Sequence, residues 1–402
     1  MQYVQRTLEK SILSASERFK VLMVSGMRQV GKSTLLKHIA ERTYVTLDNR
    51  LALETATTMR EVFFQQYPAP ILIDEIQRAP ELALEIKELV DQDERKGLIW
   101  LTGSQRFEMM KKTSESLAGR MVNFELLPFS LYERQNKGYE QKPYIPSAGL
   151  TRGTLDKLDE KEIWQIIWQG SWPDVINDTP SNRDLFFNGL LQTYLERDVI
   201  QTGVSKLRDF LRFLAVLASR IGQEFQITKV ASDVGVAVAT AKDWLSIAES
   251  LGVIYLLQPF YENIGKTIIK KPKLYFTDTG LAAWLCNIPS AEALKNLYNS
   301  GAFFENFVII ELLKSWVHNG KRANFFFYRD AQNNEIDLLI RDGTTYYPIE
   351  IKTTQHPESS MVKAFDLIKG GAFQRGPGAL ICLTKELRFL KPGVVAHSIL
   401  DI

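Results

Sequence analysis

The stretch VLMVSGMRQVGKSTLLKHIAER, Val21 to Arg42, decides the fold. Val21 to Gly26 is a short apolar run rich in branched side chains, which suits a buried parallel strand. It runs directly into GMRQVGKST, where Gly26, Gly31, Lys32 and Ser33 fit the spacing G-x-x-x-x-G-K-[ST], and a helix-like LLKHIAER follows. The chemistry needs these residue types. Glycines let the backbone wrap close to phosphate, and the amides at a helix start face the anion. Lys32 is expected to reach the outer phosphates of a nucleoside triphosphate and Ser33 to ligate magnesium, with Arg28 and Thr34 lining the same loop. A plain glycine turn has no need of strand, loop and helix in this order.

Four more strand-like segments follow: Tyr44 to Asp48, Ile71 to Glu75, Leu98 to Ser104 and Val122 to Pro128. Helical-looking segments separate most of them, giving the βαβ rhythm of a parallel sheet covered on both faces. ILIDEIQ is an apolar strand ending in two acids. Asp74 is expected to hold the magnesium hydration shell and Glu75 to polarise the attacking water. LTGSQ ends at the same edge of the sheet, where ligands bind in open parallel sheets. There Thr102 or Ser104 either senses the outermost phosphate or forms a polar turn. Arg120, in LAGR, either reaches the phosphate of a neighbouring subunit or is a surface arginine.

These residues resemble the AAA+ branch of the P-loop ATPases. GMRQVGKST is similar to its Walker A segment, ILIDE to its Walker B and LTGS to its sensor strand. The resemblance is greatest to a group of prokaryotic AAA+-type ATPases with a C-terminal domain long described as of unknown function. In that group DEIQRAP, LTGS, LAGR and ELLPFSL recur in the order seen here, at Asp74 to Pro80, Leu101 to Ser104, Leu117 to Arg120 and Glu125 to Leu131. The resemblance spans nearly the whole chain and implies ATP binding and hydrolysis, without saying what the hydrolysis drives.

Composition sets wide bounds. With 402 residues the chain has room for two to four domains. Its 45% apolar and 24% charged residues are ordinary for a globular protein, and a net charge of +2 carries no global nucleic-acid footprint. Cys286 and Cys382 have no metal-type spacing and read as buried thiols in a reducing cytosol. The start MQYVQRTLEK lacks an apolar core, and no run of about 18 apolar residues occurs, so neither a signal peptide nor a membrane span is expected and the location reads as cytoplasmic.

From about Leu131 the pattern turns helical, interrupted by a polar stretch near Gln135 to Gly153. Ile163, Ile166, Ile167 and Gly170 fall at helical spacing, Trp164 and Trp168 lie one turn apart, and Gly-Ser-Trp-Pro ends the helix. Glu196, Arg197 and Asp198 read as a solvated helix face or a polar cluster. Val230 to Val234, a turn at Gly235 and Ala237 to Leu245 read as helix-turn-helix. The segment to Asp278 would add a β-wing carrying Lys266, Lys270, Lys271 and Lys273, giving a winged helix. Its second helix has one cation, Lys242, so the module contacts phosphate through the wing or serves subunit packing. Asp278 reads as a helix N-cap.

Gly301 to Trp316 is apolar around most of a helix and so should be buried, which makes Glu305 within it a costly carboxylate. NNEIDLLIRDGTTYYPIEIKTT reads as a hairpin turning at Asp342-Gly343. Alternation puts Glu335 and Asp337 on one face of the first strand and Glu350 and Lys352 on one face of the second. Asp337, Glu350 and the Ile351 carbonyl offer hard oxygens for magnesium, Glu305 could complete the shell, and Lys352 could orient the water. A surface hairpin with mutually paired charges is the plainer reading. The set resembles the PD-(D/E)XK nuclease superfamily, with Glu305, Asp337, Glu350 and Lys352 in its pattern; the leading proline is absent before Asp337, where Glu-Ile stands.

The expected fold is α/β multidomain: a P-loop AAA+-like ATPase domain over 1–135, a helical lid over 136–220, a winged helix over 221–287 and a restriction-endonuclease-like domain over 288–402. The expected ligands are ATP and Mg2+, with a second Mg2+ or Mn2+ at the C-terminal site. The expected assembly is a homo-oligomer, a ring among the options, acting on nucleic acid. The alternative is a nucleotide-controlled switch whose C-terminal domain docks a protein partner and cuts nothing.

Overall fold

A computed structural model describes residues 3–104, 117–150, 153–176, 182–194, 207–260, 271–368 and 374–402. The first sheet is parallel, with strands β1 (Val21–Ser25), β2 (Thr43–Thr46), β3 (Ile71–Asp74), β4 (Ile99–Gly103) and β5 (Met121–Glu125) in the order β2-β3-β4-β1-β5. All five residues of β1 and of β4 are buried, as expected of central strands covered on both faces. β1 lies between β4 and β5, so the loop after it opens at the carboxyl edge of the sheet beside the ends of β3 and β4.

The middle of the chain is helical. The helix Glu160–Gln169 buries Ile163, Trp164, Ile166, Ile167 and Trp168, and both tryptophans join one core. It stops at Gly170, φ 86°, a left-handed conformation that glycine adopts without strain. Arg183–Tyr194 is a further helix; Glu196, Arg197 and Asp198 lie outside the described residues. Helices Ile227–Val234 and Val238–Ser250 meet at Gly235, φ 82°, and strands β6 (Ile254–Pro259) and β7 (Lys273–Phe276) then pair antiparallel. Lys266 and Lys270 lie outside the described residues, and Lys271 is exposed.

A mixed nine-stranded sheet forms the C-terminal domain. Its strands are β6, β7, β8 (Phe325–Arg329), β9 (Glu335–Asp342), β10 (Thr345–Lys352), β11 (Gln374–Arg375), β12 (Gly378–Cys382), β13 (Arg388–Lys391) and β14 (Val394–Ser398). Because β6 pairs with β8, the β6–β7 pair forms one edge of this sheet, and strand pairing runs straight through the expected border at 287. The helix Ser300–Val317 packs against β10 and β7 and is buried along nearly its whole length. Cys382 is buried, Cys286 is half-buried and both are free. Among the described residues no helix is long and apolar enough to cross a membrane.

Candidate functional site

The loop after β1 is built for close approach. Gly26 has φ 148°, and a Cβ there would stand 2.2 Å from the Leu126 carbonyl oxygen, so a side chain is excluded. Gly31, φ 94°, leads into the helix Lys32–Ile39. The Lys32 ammonium is buried and donates to the carbonyls of Gly26 (2.9 Å) and Met27 (2.7 Å), which holds it inside the loop. Ser33 Oγ donates to Asp74 Oδ1 at 2.5 Å, so the hydroxyl and carboxylate expected to serve magnesium already stand together. Thr102 also donates to Asp74 Oδ1, and Tyr44 donates to Oδ2 at 3.2 Å. A hydroxyl and a carboxylate are hard oxygen donors, the set that suits magnesium.

Glu75 follows with φ 62°, a left-handed conformation costing a non-glycine residue about 1–2 kcal/mol. Its amide donates to Thr102 Oγ1 at 3.2 Å. Burial pushes its carboxyl above the ordinary glutamate value, while Lys32 and Arg28 pull it back. Arg28 Nη2 stands 4.0 Å from Glu75 Oε2. Gln77 donates to both Glu75 and Ser104 Oγ, the latter at 2.9 Å, tying the ends of β3 and β4 together. A cavity of about 350 Å³ is lined by Arg28, Gln29, Gly31, Lys32, Ser33, Thr34, Glu75 and Leu190. Gly26, Arg28, Gly31, Lys32, Ser33, Thr34, Asp74, Glu75, Thr102 and Ser104 thus gather at one sheet edge. Arg120 does not join them: its guanidinium forks onto Asp91 of the same chain at 2.6 and 2.8 Å, on the surface.

The C-terminal residues form a second polar cluster. The register pairing Ile349 with Leu338 sets Glu350 beside Asp337. Asp337 Oδ2 accepts from the Ile351 amide (2.9 Å) and from Lys352 (3.3 Å), and Lys352 stands 2.5 Å from Glu350 Oε1. Burial, then the charge of Asp337, pushes Glu350 up to about 8, and its Oε2 is buried without a hydrogen-bond partner. Glu305 Oε1 accepts from Lys273 at 3.0 Å and from the Tyr275 hydroxyl at 2.5 Å. Lys273 also reaches Glu335 Oε1 at 2.5 Å and stands 4.0 Å from Asp337 Oδ1. The reading of Lys273 as a wing lysine for phosphate contact is corrected here: β6–β7 pairing turns it inward, and it is 4% exposed. Among the described residues no three His, Cys, Asp or Glu side chains form a metal-holding group.

Sequence reasoning missed Tyr44 and Tyr275, which carry no motif, Gln77, which lies within DEIQRAP but was given no role, and Trp172, whose indole N–H donates to the Arg28 carbonyl at 3.0 Å. The Gly-Ser-Trp-Pro break marked Trp172 as a helix end only.

Comparison with known proteins gives a consistent frame. A family profile described as an AAA domain matches residues 18–135. Two profiles described as domains of unknown function match 160–292 (DUF8612) and 300–399 (DUF4143). The chain therefore carries an AAA-type P-loop ATPase domain followed by two domains of unknown function. Uncharacterized proteins of Mycobacterium tuberculosis and Mycobacterium bovis are each 29% identical over 352 residues, covering 86% of this chain and 73% of theirs. One of Methanocaldococcus jannaschii is 22% identical over 347 residues, covering 80% and 72%. Among solved structures, a Walker-type ATPase of Pyrococcus abyssi is similar at 16% identity, covering 70% of this chain and 96% of that one, with a TM-score of 0.41.

Proposed function

We propose that this chain is a magnesium-dependent ATPase of AAA+ type whose nucleotide cycle drives a C-terminal domain through a helical lid and a winged-helix module. The observation that carries the reading is the Ser33–Asp74 hydrogen bond, at 2.5 Å, beside the loop-held Lys32 and the Glu75 carboxylate. Bound magnesium would supply charge neutralisation on the phosphates, held by Ser33 and Asp74. Lys32 swings from the loop carbonyls to the outer phosphates. Glu75 accepts a proton from the attacking water; the new bond forms to the terminal phosphorus, the bridging bond breaks and ADP leaves. Thr102 fixes Asp74, and Ser104, through Gln77, fixes Glu75. Arg120 would act in a homo-oligomer by leaving Asp91 for a neighbour's phosphate. The test is ATP turnover by Lys32→Ala: loss is expected, and turnover at the parent rate would overturn the assignment.

The C-terminal domain takes a restriction-endonuclease-like arrangement in this proposal, with Glu305, Asp337, Glu350 and Lys352 on one face. Two readings follow: it acts on nucleic acid by cleavage, or it binds a partner under nucleotide control without cutting. The lysine pairing of Glu305, Asp337 and Glu350 favours the second. Cleavage of plasmid or single-stranded substrate that disappears in Asp337→Ala would restore the first.

A further inference from the structure

We infer that the ammonium of Lys273 is the resident cation of the C-terminal carboxylate cluster, standing where its acids would otherwise share a divalent ion, so that the cluster takes neither magnesium nor manganese. The inference rests on the reading that this domain binds without cutting.

The geometry is specific. Lys273 opens β7 and is 4% exposed. Its Nζ lies 3.0 Å from Glu305 Oε1, 2.5 Å from Glu335 Oε1 and 4.0 Å from Asp337 Oδ1, so one ammonium faces acids from the helix Ser300–Val317 and from β9. Such a buried ammonium is stable only because the carboxylates compensate it, and the carboxylates need it in return. The same Glu305 oxygen also accepts from the Tyr275 hydroxyl, so it is doubly committed. Asp337 Oδ2 is spent on the Ile351 amide and Lys352, and Glu350 Oε1 on Lys352. Glu350 Oε2 is the one carboxylate oxygen of this cluster that is buried without a hydrogen-bond partner. A divalent ion joining Glu305 to Asp337 would have to displace a buried ammonium or sit against it. The lysine thereby ties β7, the helix and the β9–β10 hairpin by charge, which is a structural use for acids set in nuclease-like places.

Manganese binding to the full chain without nucleotide, counted by electron paramagnetic resonance, tests this. The parent chain and Asp337→Asn should bind the same number of ions; any ion held at Ser33 and Asp74 is common to both and cancels. Lys273→Met, nearly matched in length but neutral, should gain one ion per chain, and Lys273→Met/Asp337→Asn should lose it again. Loss of an ion in Asp337→Asn alone overturns the inference, as does a folded Lys273→Met that gains none. If circular dichroism shows Lys273→Met unfolded, the parent and Asp337→Asn comparison still decides. Manganese bound through Asp337 without cleavage sinks this inference alone. Asp337-dependent cleavage sinks the binding-only reading with it.

Discussion

Glu75, the base of the proposed mechanism, carries a local backbone cost. It holds a left-handed backbone and a buried carboxyl raised above its ordinary value, beside the cationic Lys32 and Arg28. If it is the base, as proposed, it must be ionised, so turnover should fall as pH drops through that raised value, with an acid limb above the ordinary glutamate range. Glu75→Gln keeps the shape and removes the base. Turnover should fall by about 100-fold or more while ATP binding persists, measured by phosphate release and by equilibrium binding. Parent turnover in Glu75→Gln would remove Glu75 from the mechanism. Glu133 shows the opposite shift. Burial alone would raise it, but Arg6 Nε at 3.0 Å and His318 hold it far below the ordinary range. Its stabilisation is complete above the unfolded value and drains away as pH falls toward the folded one. Arg6→Ala, which takes the guanidinium from this buried carboxylate and leaves it the Thr7 and Ser130 amides and His318, should cost about 3–5 kcal/mol in urea melts at neutral pH. The meeting of Lys32, Ser33 and Asp74 was legible in the sequence, because the G-x-x-x-x-G-K-[ST] loop and an apolar strand ending in acids fall at one edge of a parallel sheet. Lys273 was not, because its inward aim exists only once β6 and β7 pair.

Elements were legible where periodicity and turn chemistry agree. The β9–β10 hairpin follows from Asp342-Gly343, where Gly343 takes φ 59°, and from the alternation that sets Glu350 beside Asp337. Asp278 caps its helix as expected, accepting from the Leu281 amide at 2.9 Å. What the sequence hid is the other oxygen of Asp278, which accepts from the Ser171 amide at 2.7 Å and pins the Gly-Ser-Trp-Pro break to this helix start. No local pattern announces a contact across so many residues. Gly280 lets the two backbones meet: a Cβ there would lie 2.5 Å from the Gln169 carbonyl oxygen and from the Gly170 Cα and amide nitrogen. These are backbone atoms, which cannot turn aside as a side chain can. Gly280→Ala should therefore force the helices Glu160–Gln169 and Thr279–Leu285 apart, at about 1–3 kcal/mol by urea denaturation. Trp172, beside this joint, would move off the Arg28 carbonyl, and its fluorescence should report the change.

At the scale of the molecule, the ATPase sheet and the C-terminal domain are joined by buried polar contacts. The helix Ser300–Val317 carries Glu311 and Lys314, 1% and 2% exposed. Glu311 accepts from the Leu131 amide at 2.8 Å, and Lys314 donates to the Phe129 carbonyl at 2.8 Å and to Glu311 at 2.7 Å. Just beyond, His318 Nε2 accepts from the Leu127 amide at 3.1 Å. Arg6 bridges the carbonyls of Leu127 and Val30, both at 2.8 Å, so the same short segment touches the phosphate loop. A shift of that loop on nucleotide binding thus has a continuous set of packed polar partners reaching the helix that carries Glu305. Lys314→Met tests whether these contacts couple the two halves. It leaves the Glu311 carboxylate buried without its ammonium, which should cost about 3–5 kcal/mol. Adding Glu311→Gln removes the stranded charge and keeps an acceptor for the Leu131 amide, so the double variant should recover much of that loss. In calorimetry the parent should melt in one transition that ATP shifts as a whole. Lys314→Met should split it, with ATP raising only the component that contains the phosphate loop. A single ATP-shifted transition in Lys314→Met would show that the halves are coupled through other contacts, with the bond from the Leu127 amide to His318 the next place to break.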